Sequence, residues 1–106
     1  MNRGDIRWYR FKPPDKKRPV LVLTRDSAIG ALNAVTIVPI TSTIRGIPTE
    51  IVLTREDGLP ATCAANLDNL QTVPKSNIGE RIARLNVQRM REVAAAAAFA
   101  LGFDAD

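Results

Sequence analysis

The chain has 106 residues, 45% of them hydrophobic, and a net charge of +4 with no histidine and a single cysteine. This length supports one domain over residues 1–106, and the hydrophobic fraction argues against a disordered chain. Without histidine there is no Ser-His-Asp triad and no histidine-ligated zinc, so no metal and no cofactor is expected.

No apolar run reaches the ~20 residues of a membrane span. The opening Met1-Asn2-Arg3-Gly4-Asp5 lacks the apolar stretch of a signal peptide, and Cys63 cannot form an internal disulfide. Both features fit a reducing, cytoplasmic setting. No Walker A or GxGxxG stretch occurs, which excludes nucleotide-fold readings. The basic residues are unevenly placed: Arg3, Arg7, Arg10, Lys12, Lys16, Lys17, Arg18 and Arg25 face only Asp5 and Asp15 within residues 1–25. Such a field favours a polyanion, although a solvated basic edge strand has the same composition.

In chain order, Ile6–Phe11 alternates imperfectly and reads as a first strand. Pro13 and Pro14 forbid regular structure in the following loop. Pro19–Thr24 is a continuous aliphatic and β-branched run, the mark of a buried strand. Val35–Thr41 is the next strand, with Pro39 taken as a bulge or strand end. Ile44–Pro48 is a loop, and Thr49–Leu53 and Thr62–Leu67 are further short strands. Thr72-Val73 and Ile82–Leu85 add fragments around Pro74. Cys63 reads as a small apolar strand residue. The period then changes. Asn86 is a helix N-cap, Val87, Met90, Val93, Ala97 and Leu101 repeat at helical spacing, and Gly102 sits where a helix ends, giving a helix over Val87–Leu101. Short strands closed by one helix predict a mainly β fold, a small and partly open barrel.

Four segments, in order, resemble the MazF/PemK (Kid) family of toxin ribonucleases. They are Arg3-Gly4-Asp5-Ile6, Lys17-Arg18-Pro19-Val20-Leu21-Val22-Leu23, Val38-Pro39-Ile40-Thr41-Ser42, and Ala65-Asn66-Leu67-Asp68-Asn69-Leu70-Gln71-Thr72-Val73-Pro74-Lys75-Ser76. The terminal helix ending in Leu101-Gly102 also fits. The resemblance implies an SH3-like β-barrel with a C-terminal helix (the CcdB/Kid-like toxin fold), a homodimer, and metal-independent cleavage of single-stranded RNA. It also implies inhibition by a cognate antitoxin whose acidic, flexible segment covers the RNA groove. It assigns Arg18 and Thr41 as the catalytic pair.

Chemistry agrees with that assignment. RNA carries its own nucleophile, the 2′-OH, so the protein must orient it and stabilise charge on the phosphate. A fork-shaped guanidinium and a hydroxyl suit those tasks. Arginine is a very poor acid, which implies a slow, positioning-driven enzyme. Lys16, Lys17, Ser42, Asn66, Asp68 and Gln71, with the Lys12–Lys17 loop, are the expected RNA-binding groups. Trp8, at the start of a strand, reads as core rather than as a stacking platform.

The chain departs from some relatives by having Asn66 where they carry an arginine, and Leu70-Gln71-Thr72 where many have Leu-Arg-Thr. Asp68 is read either as a site residue or as a turn-capping carboxylate. The alternative reading is a non-enzymatic, CcdB-like toxin acting on DNA gyrase. Those proteins rely on an indole near the end of the helix, and here that region reads Leu101-Gly102-Phe103-Asp104-Ala105-Asp106.

Overall fold

In the computed structural model, which describes residues 1–14 and 16–104, the elements run β1 (Asp5–Arg10), β2 (Lys17–Val22), α1 (Asp26–Ile29), β3 (Ala34–Thr41), β4 (Glu50–Leu53), β5 (Cys63–Asn66), β6 (Gln71–Pro74), β7 (Ile78–Arg84) and α2 (Val87–Leu101). Asp15, counted above among the acidic residues of the N-terminal segment, lies outside the described residues. All strand pairs are antiparallel, in the order β4-β5-β3-β2-β1-β7, with β6 also on β3. The sheet curls into a half-barrel with α2 packed on it, as the sequence predicts.

The middle strands are apolar on both faces, which explains their unbroken hydrophobic runs. Leu21 of β2 and Val38 and Ile40 of β3 point to the side where α2 docks Val93 and Ala96. Val20 and Val22, with Val35 and Ile37, point to the other side, where Tyr9, Ile29 of α1 and Val73 of β6 complete a second cluster. Each of these valine, leucine and isoleucine side chains contributes about 1.5–3 kcal/mol by leaving water.

Pro39 neither bulges nor ends β3; the strand runs through it to Thr41. Residues Ala34–Ile37 pair with β6, whereas Ile40 and Thr41 pair with β5. The Leu23 amide donates to the Thr36 carbonyl, so even-numbered β3 residues turn their backbone groups toward β2 and odd-numbered ones toward β5 and β6. The donor that Pro39 lacks therefore falls in the gap between two ladders, where no ladder bond is lost.

α2 has the expected ends. The Asn86 side chain accepts from the Arg89 amide at 2.8 Å, a cap worth about 1 kcal/mol. Gly102 takes φ 78°, and the Phe103 amide donates back to the Ala98 carbonyl at 2.8 Å. Arg89 then bolts the helix to the barrel. It donates to Asp57 at 3.0 Å, to Glu92 at 3.1 Å and to the carbonyl of Val52.

Two elements differ from the sequence reading. α1 is a single turn that buries Ala28 and carries Ile29 into the second cluster. β7 is one seven-residue strand, in place of the fragment expected around Ile82–Leu85. Its register against β1 shifts twice, so its side chains do not alternate cleanly.

Candidate nucleic-acid interface

The alternation that buries Val20, Ile37 and Val73 also decides what lies beyond them on the same face. Two residues from Val20 along β2 is Arg18. From Ile37 along β3 come Pro39 and Thr41, and from Val73 along β6 comes Gln71. The pairing of Thr41 with Ala64 places Asn66 of β5 on this face, and Glu50 of β4 lies opposite Asn66. The apolar face thus gives way at one end to a polar one. There an open cleft of about 410 Å³ is lined by Arg18, Pro39, Thr41, Asn66 and Gln71 together with Glu50. Thr43, Arg45 and Ile47 of the β3–β4 loop, and Asp68 and Asn69 of the turn after β5, complete its rim.

The Thr41 hydroxyl oxygen accepts the Thr43 amide at 3.1 Å. This local bond caps the end of the strand and orients the oxygen, while its hydrogen remains available to donate. Arg18 is exposed at the entry to β2, opposite the buried Tyr9. Strand pairing fixes its backbone.

Asn66 caps the turn: its buried side-chain oxygen accepts the Asp68 amide at 2.9 Å. The Asp68 carboxylate accepts the Thr49 hydroxyl at 2.8 Å and faces the cleft. Glu50 is bound to the opposite wall, where its carboxylate accepts the Arg45 amide at 3.0 Å and the Gly46 amide at 2.9 Å.

Of the other expected site residues, Ser42 borders an adjoining hollow with Arg18, Thr41 and Thr43. Lys16 is exposed but does not line the cleft. Lys17 has the opposite parity to Arg18 and sits with its ammonium 5.1 Å from the centre of the Trp8 ring. Trp8, expected in the core, is half-buried beneath that lysine and belongs to neither apolar cluster.

Thr43, Arg45, Glu50 and Asn69 were missed by sequence reasoning. Glu50 was legible by parity, as the polar residue before Ile51 in a strand whose apolar side is known. The loop residues had no such signal. Among the described residues no group of three or more His, Cys, Asp or Glu could hold a metal ion, and no helix is long and apolar enough to cross a membrane.

Residues 2–101 match the family model described as PemK-like, MazF-like toxin of type II toxin-antitoxin system. The chain is 41% identical over 93 residues to the probable endoribonuclease MazF2 of Mycobacterium tuberculosis, covering 87% of this chain and 89% of that protein. Among solved structures it is similar to the Mycobacterium tuberculosis toxin MazF-mt6, with a TM-score of 0.85 and 36% identity over 96% of this chain and 98% of the other. It is also similar to an endoribonuclease in complex with its cognate antitoxin from Mycobacterial species. There the TM-score is 0.84 and the identity 25%, covering 96% of this chain and 95% of that one.

Proposed function

Because the chain belongs to the PemK-like, MazF-like toxins of type II toxin–antitoxin systems, we propose that it is a sequence-selective endoribonuclease that cuts single-stranded RNA without metal. The observation that carries this reading is the convergence of Arg18 and Thr41, from adjacent strands, on one cleft that also exposes Asp68 and Gln71.

A phosphodiester seated there meets the Arg18 guanidinium and the Thr41 hydroxyl. The neighbouring ribose 2′-oxygen attacks phosphorus as its proton departs, the bond to the 5′-oxygen breaks, and that oxygen takes up a proton. Arg18 stabilises the charge gathering on the non-bridging oxygens, and Thr41 holds one of them in place. The cleft's open shape admits an unpaired chain, and Gln71 and Asp68 offer a donor and acceptors to base edges. Ser42 and Asn66 flank these positions, and Lys16 and Lys17 add long-range attraction.

The same reading extends to partners. The apolar groove of about 350 Å³ along α2 is lined by Leu23, Ala94, Ala97, Leu101 and Phe103, with Phe103 81% exposed. It supports a homodimer, since apolar area of this kind marks an interface. A cognate antitoxin would lay an acidic, flexible segment over the cleft, where Arg18 and Arg45 would meet its charge, and the site of action is the cytoplasm. The endoribonuclease relatives favour RNA cleavage over the gyrase-directed alternative.

The test is to incubate the protein with a long structured RNA in EDTA and map the 5′ ends produced. Discrete cuts in single-stranded stretches are expected. Replacing the ribose at a mapped cut by deoxyribose abolishes cleavage if the substrate supplies the nucleophile. Equal cleavage of the deoxy oligonucleotide refutes the mechanism.

A further inference from the structure

One wall of the cleft is the exposed loop between β3 and β4, and it is unusually well fastened. Exposed loops are as a rule the mobile parts of a domain. Here the Arg45 amide donates to both oxygens of Glu50, at 3.0 and 3.2 Å, and the Gly46 amide donates to one of them at 2.9 Å. The Glu50 amide in turn donates to the Ile47 carbonyl at 3.0 Å. Gly46 has φ 69°, which lets successive amides converge on one anion, and nothing lies within 4 Å of where its Cβ would be. Glycine is required there for the backbone path and not for space.

This clamp fixes the point from which the Arg45 side chain enters the cleft. Arg45 and Arg18 are the only cations lining it among the described residues. The Arg45 guanidinium makes no hydrogen bond within them, so its five donors face solvent and any bound chain. The Glu50 charge is meanwhile taken up by backbone amides of its own loop. We propose that Arg45 grips a phosphate next to the scissile one and that Glu50 is the positioning residue that holds it there. This inference rests on the ribonuclease reading above.

The experiment uses the full chain and a single-stranded oligoribonucleotide containing one mapped cut. Arg45→Ala is expected to raise KM about tenfold with kcat changed less than about threefold, and to flatten the salt dependence of binding by about 0.7, the value of one single-strand phosphate contact. Arg45→Lys keeps the salt slope because it keeps the charge. Glu50→Ala raises KM as Arg45→Ala does, Glu50→Gln has an intermediate effect, and the Arg45→Ala/Glu50→Ala pair is no worse than Arg45→Ala alone.

Wild-type KM and salt slope in Arg45→Ala overturn the inference, as do Arg45 and Glu50 effects that multiply. A raised KM with an unchanged salt slope overturns the phosphate contact. Should Glu50→Ala fail to fold, Arg45→Ala and Glu50→Gln decide. RNA cleavage that is lost in Arg18→Ala yet normal in Arg45→Ala removes only this inference. If the wild type does not cleave, the proposed function falls, and oligonucleotide binding against salt still decides Arg45.

Discussion

Replacing Thr41 by valine separates what its hydroxyl does for the fold from what it does for catalysis. Valine keeps the volume and the β-branch, so the pairing of Thr41 with Ala64 persists. The structural loss is the bond from the Thr43 amide at 3.1 Å. Thr43 is exposed, so water replaces the acceptor and the cost stays below about 1 kcal/mol, or at most about 8 °C in Tm. The catalytic loss is larger. A hydrogen bond to a charged phosphate contributes about 1.5–3 kcal/mol, and each 1.36 kcal/mol is tenfold, so kcat should fall about 10- to 150-fold. Thr41→Ser restores the hydroxyl and should return to within about fivefold of the wild type. Single-turnover cleavage of a labelled oligonucleotide measures both, with circular dichroism confirming the fold. A folded valine variant that cuts at the normal rate refutes the argument. A serine variant as slow as valine shows that strand geometry, and not the hydroxyl, is what matters.

Arg18→Ala removes a transition-state donor and should lower cleavage about 10²–10³-fold in a chain that still folds; a folded variant of normal activity contradicts its role. Asp5, 1% exposed, accepts from Arg84 at 2.8 Å and from the Asn2 amide at 3.0 Å, and pairs with Arg7 at 3.3 Å. Burial alone would push its carboxyl up, but Arg84, the Asn2 amide and Arg7 together hold it below the usual carboxylate value. Its contribution is therefore complete above the unfolded value near 4 and lost as pH falls through the lower folded value. Asp5→Asn should cost about 2 kcal/mol at pH 7, and the Tm gap to the wild type should narrow progressively in melts taken below the unfolded value. A gap that persists undiminished at the acid end argues against this pairing.

The parts of this fold that were readable from sequence are those where local chemistry and tertiary burial agree. α2 has its cap, its apolar stripe and its terminal glycine in place, and its bounds matched. β2 and β3 showed as aliphatic runs because both of their faces are covered. β7 did not, because an edge strand with two register shifts and Glu80 and Arg81 at its centre has no period to detect. The turn at α1 rests on Ile29 reaching a cluster assembled from distant strands, which no local window contains. Within the site, Arg18 and Thr41 came from the family resemblance, and strand parity then accounts for why they share a face. Lys17 shows the limit of reading by charge: one residue from Arg18, it turns to the opposite face and covers Trp8. The β3–β4 loop was out of reach because its shape depends on a carboxylate that follows it in the chain.

The seam at Pro39 splits one strand between two tasks. Upstream of it, β3 belongs to the folding body, zipped to β6 and buried against β2. Downstream, only Ile40 and Thr41 remain, held by β5 and leading directly into the segment that shapes the cleft. Substitutions in the exposed loop beyond Thr41 can therefore reshape the cleft wall while the paired strands that fold the chain are left intact.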